Sequence, residues 1–452
     1  LTSLVGSEMC IRDSNMIDRN ENLPGYFSSS WPVECGGNRR QKSYQGSLNA
    51  KGSSPKVQTL SSDKWNVMVI KREKGEYFLG GTMPYFFGPE PYGWLQKFNP
   101  ISLETLAESP KLPCGGHVWC GAIAAHQNGN IIKVNGNFMH SLSANCELLE
   151  EKKLPKDRAH NGLLVLSDGS IVTKDCRLEN QGNSFITRLD PDTLELIDEP
   201  FPLPEGSMGR IASELNNLGE FIYVPGIEKI LKIKVNKTSL ELDESWAPKY
   251  RSINGSQGLA WDGCISDGNI WIMDNGDIQS VRDIYGEEPN GRFDEFKSLS
   301  WRSPAPWKGK QRLIKIDLLT EELDFIEPFQ KEGGGIIAPP VNIPESKICI
   351  AWDSINGSIA GIDTSQNSLK VSWLKNFRPT MQPVVFPESN ELVINHYENG
   401  EDHIIVLDLT NGELLSKVGL DSRLANGMFL TPGDNRDIFY CSTGAFSRIS
   451  WS

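Results

Sequence analysis

Short runs of alternating apolar and polar residues fill most of the chain, and they end at glycine, proline, asparagine or aspartate. This two-residue period is typical of β-strands with one buried face. The stretch VLDLTNGELL at 406–415 shows the unit clearly, because an apolar pair leads to Asp408, a Thr-Asn-Gly turn follows and a Leu pair begins again. Asn-Gly supplies the positive φ angles of a tight turn, so the stretch predicts a β-hairpin.

The same hairpin recurs along nearly the whole chain. In each copy an apolar residue precedes a short polar anchor, and a Leu restarts the strand after the turn. The anchors are Asn99, Ser143, Asp190, Asn236, Asp317, Asp363 and Asp408, spaced by 44, 47, 46, 81, 46 and 45 residues. A period in the mid-forties made of short strands is typical of a β-propeller with four strands per blade, whereas a parallel solenoid usually has shorter repeats.

A second apolar hairpin precedes each anchor hairpin and supplies the two inner strands of the blade. These inner hairpins are predicted at 65–81, 119–136, 160–175, 210–226, 257–274, 339–353, 382–396 and 426–442. The last unit has room for only three strands before Ser452, so its sheet would end in an open edge. Open sheet edges favour aggregation, and another strand must therefore cover this one. The sequence therefore predicts an all-β propeller of about eight four-stranded blades, closed by an N-terminal strand at 56–61. Seven blades is the alternative if the first unit is a cap.

The chain divides into three regions on composition. Residues 1–14 resemble translated sequencing-adapter read-through and are expected to be non-native, 15–55 form a polar N-terminal arm, and 56–452 form one propeller domain. The 81-residue interval between anchors Asn236 and Asp317 is nearly two periods, and the excess lies at 278–311. This insertion, with Trp301 and Trp307, is placed either to cover the channel mouth or to form a plain surface loop.

Charge and cysteine content narrow the function classes. The chain has 45 basic and 58 acidic side chains, a net charge of −13, which disfavours nucleic-acid binding. It has no apolar run long enough to span a membrane. The nine cysteines form no CxxC pair, so we interpret them as small buried hydrophobes, with disulfides left open. A small-molecule ligand is expected and a protein partner is possible, while the compartment, cytoplasmic, periplasmic or secreted, stays open.

Candidate chemistry lies where the innermost strands begin and the second strands end, because these positions meet around the channel on one face. The candidates for binding Ca²⁺ or another divalent cation are Asn161, Asp175, Asp274, Asp353 and Asn426. Carboxylate and amide oxygens are the ligands that hard cations prefer. Equally, Asp and Asn are common at strand ends because their side chains begin turns.

Two histidines could act as a general base, since the imidazole pKa lies near neutrality. His117 follows two glycines at the entrance of the second unit, and His160 begins the inner hairpin of the third. Asp157 precedes His160 closely enough to orient it. The remaining polar and aromatic candidates are expected to contact substrate, and they are Asn135, Gln257, Gln382, His396, Trp301 and Trp307.

The inner hairpins HNGLLVLSDGSIVTKD, QGLAWDGCISDGNIWIMD and ANGMFLTPGDNRDIFY resemble repeats of the regucalcin/gluconolactonase and strictosidine-synthase-like propellers. The lactonase resemblance implies a divalent cation held partly by the Asn of an Asn-Gly pair, which Asn161 and Asn426 match. This sequence has no match for the family's Glu ligand, and those propellers have six blades. The hairpins LDPDTLEL and LDLTNGEL resemble those of eight-bladed quinoprotein propellers, whose adjacent Cys-Cys pair is missing here.

Three functions follow as hypotheses. The first is hydrolysis of a lactone or ester at the channel mouth, with a divalent cation polarising the carbonyl and activating water. The second is a non-catalytic propeller that binds a ligand or a protein, in which the Asp and Asn residues only form turns. The third is a quinoprotein-like oxidoreductase. A propeller fold alone does not decide among them.

Overall fold

The computed structural model describes residues 23–83, 91–117, 121–177, 181–251, 260–274, 309–335, 339–366, 368–380, 382–420 and 427–452. These residues form antiparallel β-sheets arranged as propeller blades, with short 3₁₀ turns at Glu34–Gly36, Pro344–Ser346 and Pro387–Ser389. None of the helical segments in the described ranges is long and apolar enough to cross a membrane. Residues 278–308 of the predicted insertion 278–311 and the tail 1–14 lie outside the described residues.

The first four blades follow one another along the chain. Their strands are β1 (Pro55–Glu73), β2 (Glu76–Met83), β3 (Tyr92–Phe98), β4 (Thr105–Glu108), β5 (Leu112–Pro113), β6 (Ala122–Ala125), β7 (Ile131–Asn135), β8 (Phe138–Leu142), β9 (Leu148–Lys153), β10 (His160–Val165), β11 (Ile171–Asp175), β12 (Phe185–Leu189), β13 (Phe201–Pro202), β14 (Ala212–Asn216), β15 (Gly219–Pro225), β16 (Ile230–Val235) and β17 (Leu240–Leu242). The strands from β6 to β17 form three separate four-stranded sheets, one for each blade from two to four.

Blades five to seven have the same order, and each is likewise a separate four-stranded sheet. Their strands are β18 (Ala260–Ser266), β19 (Asn269–Asp274), β20 (Arg312–Asp317), β21 (Leu323–Ile326), β22 (Val341–Ile343), β23 (Ile348–Asp353), β24 (Ser358–Asp363), β25 (Lys370–Lys375), β26 (Val384–Phe386), β27 (Glu391–Glu398), β28 (Glu401–Asp408) and β29 (Leu414–Gly419). The two inner strands of a blade are buried and the outermost is exposed, as β6 and β9 illustrate. The seven cysteines in the described part of the chain are buried.

The anchor residues that reveal the period form the turns between the third and fourth strands. In blade three the carboxylate of Asp190 accepts hydrogen bonds from the backbone N–H groups of Asp192 and Thr193 at 3.0 and 2.9 Å. Asp408 accepts in the same way from Thr410 and Asn411. These Asx turns are a local structure that the side chain itself favours, which is why the anchor recurs in blades one to seven.

Both ends of the chain close the ring within one seven-stranded sheet. This sheet contains β30 (Gly427–Pro432) and β31 (Asp437–Trp451), followed by β1 to β4, and β5 pairs with β3 beside β4. The N–H of Trp451 donates to the carbonyl of Arg436, so the two halves of β31 lie antiparallel and count as two strands of blade eight. The first half of β1 is its outer strand, in register from Pro55 opposite Trp451 to Ser61 opposite Ala445.

The second half of β1 is the innermost strand of blade one, because Trp65 to Glu73 pair with β2. The sheet therefore contains two blades, and the ring has eight four-stranded units in all. The predicted propeller, its eight blades and its closing strand at 56–61 are confirmed.

The polar segment before β1 is packed inside the ring. Its backbone forms hydrogen bonds with the innermost strands of blades on different sides of the ring. Pro32 bonds to Ala125 in blade two, and Tyr44 bonds to Val385 in blade seven. Gly25 bonds to Gln127, in the turn after β6, so the segment enters at the channel end where the inner hairpins turn. We call residues 23–54 the channel arm. The composition of this segment predicts a polar arm, and in the structure much of the arm is buried.

Four charged side chains meet where the channel arm crosses the ring. Arg40 donates to Glu34 at 2.5 Å and to Asp262 of β18 at 3.1 Å. Arg210, which precedes β14, lies 3.0 Å from Glu34, and its guanidinium sits 5.5 Å from the ring centre of Phe429 on blade eight. Blades four and eight face each other across the ring, so these side chains fill the channel axis. All four charged side chains are buried.

We expect Arg40→Ala to lower the free energy of unfolding by about 3–5 kcal/mol, because it leaves buried Glu34 and Asp262 short of a cationic partner. The neighbouring Arg39 is the matched control, since its ion pair with Glu214 involves a side chain that is 37% exposed. Arg39→Ala should cost about 1 kcal/mol or less. Urea unfolding measures both, and equal losses in the two variants would contradict the buried position of the channel arm.

Candidate ligand site at the channel mouth

The candidate site lies on the face of the ring opposite to the entry of the channel arm. On this face the innermost strands begin and the second strands end, and we call it the strand-start face. The pairing of His160 with Asp175 in β10 and β11 shows the arrangement, because it places the start of one strand beside the end of the next. Both side chains are fully buried.

Two of the three candidate aspartates bind an arginine of their own blade. Asp175 accepts from Arg177 Nε at 2.6 Å and from the backbone N–H of Phe185 at 2.5 Å. Asp274 accepts from Arg312 through Nε at 3.1 Å and Nη2 at 2.7 Å. Both carboxylates are buried, and such charge-assisted hydrogen bonds are strong. A cation at either aspartate would share the carboxylate with its arginine.

The third aspartate begins a turn. Asp353 Oδ1 accepts backbone N–H groups of Gly335, Ile355 and Asn356, and Oδ2 accepts the Asn356 amide at 2.9 Å. Burial raises the pKa of this carboxyl. In the described ranges, no three His, Cys, Asp or Glu side chains are grouped so as to hold a metal ion. The cation roles of Asp175, Asp274 and Asp353 therefore stay predictions, and Asn426 lies outside the described residues.

The two candidate histidines have different partners from those expected. Asp157 Oδ1 lies 3.3 Å from His117 Nε2 and accepts from Asn137 Nδ2 at 2.6 Å, so it orients His117 and not His160. His160 Nδ1 contacts the carbonyl of Arg158 at 2.8 Å, and Nε2 has no partner among the described residues. Burial lowers the pKa of His160 to about 4, which makes the imidazole neutral at pH 7.

Beside His160, an amide and an ammonium share one face of blade three. Asn161 and Lys174 are paired in register and both are fully buried. Asn161 Nδ2 donates to the carbonyl of Met208 at 2.7 Å, while Oδ1 has no partner in the described ranges. Lys174 Nζ donates to the carbonyls of Asp175 and Ser207 at 2.9 and 2.8 Å, and burial lowers its pKa.

The other expected substrate contacts are dispersed around the ring. Asn135 is buried against blade one, where a Cβ on Gly93 would lie 2.6 Å from its Cγ. Gln382 Oε1 accepts from Cys35 of the channel arm at 3.4 Å. His396 Nδ1 accepts from the backbone of Arg378 at 2.9 Å, and burial lowers its pKa to about 4. Gln257, Trp301 and Trp307 lie outside the described residues.

Lys174 and Arg210 are absent from the sequence-based candidates, although both flank Asn161. The signal is present in β11, whose sequence IVTKD ends a predicted inner hairpin with two charged residues on a strand expected to be buried. Charged side chains are rarely buried without a partner. Arg210 lies in a connection and gives no such signal.

A buried polar network also joins blades seven and eight. Asp402 accepts hydrogen bonds from Tyr440 Oη and from Asn395 Nδ2, and Asn395 also donates to Thr380 at 2.7 Å. Burial raises the pKa of Asp402 to about 7, although the hydrogen bonds from Tyr440 and Asn395 act in the opposite direction. This carboxyl therefore takes up a proton on folding in mildly acidic solution.

In comparisons with known proteins, the chain matches solved structures only. No protein-family model and no curated protein matches the chain. The Dos1 propeller matches with a TM-score of 0.57 at 11% identity, over 90% of this chain and 97% of that one. The chain has a β-propeller fold. A quinohemoprotein alcohol dehydrogenase from Pseudomonas putida matches with a TM-score of 0.59 at 11% identity, over 93% of this chain and 80% of that one.

A third match is Sqt1 of Chaetomium thermophilum, solved bound to the N-terminus of a ribosomal protein. Its TM-score is 0.50 at 11% identity, over 86% of the present propeller and 98% of that chain. The resemblance to quinoprotein-like propellers is thus confirmed at the level of fold. At such low identities the three structures establish architecture and leave activity open.

Asp402 predicts a pH dependence of stability. Because its pKa is raised from 3.8 to about 7 in the folded state, its contribution is complete below about pH 4 and is lost as pH rises through 7. Relative to Asp402→Asn, the wild type should lose about 1.4 kcal/mol per pH unit across this range. Urea unfolding at pH 5 and pH 8 measures the difference.

Asp190→Asn is the control for this experiment, because hydrogen bonds from Thr193 lower the pKa of Asp190. Its effect on stability should be the same at pH 5 and pH 8. A pH-independent effect of Asp402→Asn would show that Asp402 is ionised in the folded protein and would contradict the prediction.

The Asp274–Arg312 ion pair predicts a structural effect that does not depend on cations. Arg312→Met leaves the buried Asp274 carboxylate without its bidentate partner, so unfolding free energy should fall by about 3–5 kcal/mol. The loss should be the same with Ca²⁺ and with chelator. If Ca²⁺ restored the stability of Arg312→Met, Asp274 would be able to bind the cation once its arginine is removed.

Proposed function

We propose that the propeller binds a small molecule at the strand-start face, beside His160 and Asn161. The observation that carries the proposal is Asn161 Oδ1, which is fully buried and has no partner among the described residues; the same holds for Nε2 of the preceding His160. A buried polar atom without a partner costs about 1–3 kcal/mol, and native proteins contain few of them. A ligand that supplies a hydrogen bond to Asn161 Oδ1 would remove this cost at that atom.

A series of contacts connects these buried atoms to an exposed side chain. The Asp157 side chain is 74% exposed and contacts both His117 and Asn137. Asn137 follows Gly136, whose carbonyl accepts the N–H of His160. Contacts thus run without interruption from exposed Asp157 to buried His160, and we propose this as the direction from which a ligand approaches.

We further propose a divalent-cation-dependent lactone or ester hydrolase as the catalytic form of this function. Asn161 supports it, because Nδ2 is held by Met208 and the oxygen, the atom that a hard cation prefers, is left over. A bound cation would supply polarisation of the substrate carbonyl. His160 is neutral at pH 7 and His117 is oriented by Asp157, so either side chain could accept a proton from water.

A non-catalytic binding propeller is the second candidate, and a specific observation favours it. The carboxylates of Asp175, Asp274 and Asp353 are all engaged within their own blades. The neighbouring fold of Sqt1 bound to a protein N-terminus shows that a propeller can serve as a peptide-binding surface. A quinoprotein-like oxidoreductase is the third candidate and has no support from a Cys-Cys pair.

The test replaces Asn161 with leucine, which has a similar size and no oxygen. Asn342→Leu is the matched control, because Asn342 is also buried with an unpartnered Oδ1 but lies in blade six and contacts Ser266. Melting curves and hydrolysis of γ-butyrolactone and p-nitrophenyl acetate are recorded with CaCl₂, MgCl₂ or EDTA. The hydrolase predicts cation-dependent turnover and a cation-dependent rise in melting temperature, both lost in Asn161→Leu and kept in Asn342→Leu.

The other outcomes separate the candidates. A lactone that raises the melting temperature through Asn161 without being hydrolysed would support the binding propeller and reject the hydrolase. Turnover that survives in Asn161→Leu would reject the proposed site. No response of the wild type to cation, lactone or ester would reject both forms of the proposal.

A further inference from the structure

Lys174 is one of several buried cationic side chains at the axis and beside it, together with Arg40 and Arg210. Arg40 and Arg210 form ion pairs with the buried carboxylates of Glu34 and Asp262. The nearby carboxylate of Asp175 is bound by Arg177. Among the described residues, Lys174 Nζ bonds to carbonyl oxygens and to no carboxylate.

Lys174 is a buried cation whose hydrogen bonds within the described part of the chain leave one N–H group over. Its Nζ donates to two carbonyl oxygens, those of Asp175 and Ser207, and an ammonium has three N–H groups. The third has no acceptor among the described residues. By contrast, Lys42, a second fully buried lysine, donates to the carbonyls of Arg40, Pro339 and Pro340. An ammonium buried without a counter-charge is costly, and a carboxylate ligand would remove that cost.

Asn161 specifies a second feature of the ligand. Its Oδ1 is an acceptor, so it requires a donor such as a hydroxyl group, and Asn161 is paired in register with Lys174. The two side chains thus present an acceptor and a cationic donor on one face of blade three. A molecule with one carboxylate and one hydroxyl group a few bonds apart matches both.

We infer that the ligand is an aliphatic hydroxycarboxylate, held by its carboxylate on Lys174 and by its hydroxyl on Asn161. The inference rests on the proposed small-molecule site and names the chemical class that the site accepts. The hydroxyl of the ligand takes the place of the cation at Asn161 Oδ1, so the inference belongs to the binding form of the proposed function; a hydroxycarboxylate is also what ring opening of a lactone by water yields. The chain's net charge of −13 offers anions no general attraction, so the affinity must come from the contacts with Lys174 and Asn161.

The experiment compares a hydroxycarboxylate with a neutral molecule of equal chain length. Melting temperatures are recorded against increasing sodium malate or erythritol, at constant ionic strength set with NaCl. Malate should give a saturable rise in melting temperature, and erythritol at the same concentrations should give a much smaller one. Lys174→Met should abolish the malate response, Lys42→Met should keep it, and Lys174→Arg should restore it at least in part.

Methionine fills a similar volume without a charge, so Lys174→Met is expected to fold. If it does not fold, malate titration of Asn161→Leu replaces it, and a response of wild-type size there would overturn the inference. A malate response retained in Lys174→Met, or erythritol binding as well as malate, would also overturn it. If erythritol binds as well as malate and its response depends on Asn161, the proposed small-molecule site is supported. Only the inference that the ligand is an anion is then rejected.

Discussion

The whole ring depends on one strand that belongs to two blades. The first half of β1 is the outer strand of blade eight and the second half is the innermost strand of blade one, so a single continuous segment links the last blade to the first. Seven backbone pairs, from Pro55 to Ser61, hold the two chain ends together. A propeller without such a joint would leave an open edge on its last blade. Every other blade is closed locally and places its inner hairpin against the next.

The same segment occupies one end of the channel. Residues 23–54 lead directly into β1, and they reach it by crossing the ring from blade two to blade seven. Arg40, Glu34, Asp262 and Arg210 fix this crossing through buried ion pairs, which require exact partners because an unpaired buried charge is costly. The arm therefore fills the end at which inner hairpins turn, and a ligand site is left to the strand-start face.

The sequence was sufficient for the fold because the fold repeats. Each Asx anchor, such as Asp190, makes its hydrogen bonds within a few residues. The turn can therefore be predicted from the residues of the turn itself. The closing strand at 56–61 followed from the missing fourth strand of the last blade. The channel arm did not follow, because its charges are satisfied by residues such as Asp262, more than two hundred positions away.

The site was predictable only in part, for the same reason. The sequence indicated which residues reach the strand-start face, and His160 and Asn161 are there. The sequence could not show that Arg177 and Arg312 donate hydrogen bonds to the carboxylates of Asp175 and Asp274, because these arginines lie on the next strand or loop. Nor could it show which polar atoms stay unpartnered. In the described part of the strand-start face, the buried groups left with unpartnered atoms are therefore an amide, an imidazole and a lysine, whereas the carboxylates have partners.

Native-state hydrogen exchange of the segment 31–61 tests the central claim most directly, that the chain before β1 is part of the propeller core. If it is, the amides of Lys42, Tyr44 and the closing strand should exchange only through global unfolding, as slowly as those of β10 and β11. Exchange of 31–50 at the rate of an unstructured terminus would contradict the account, because the channel would then be open at both ends.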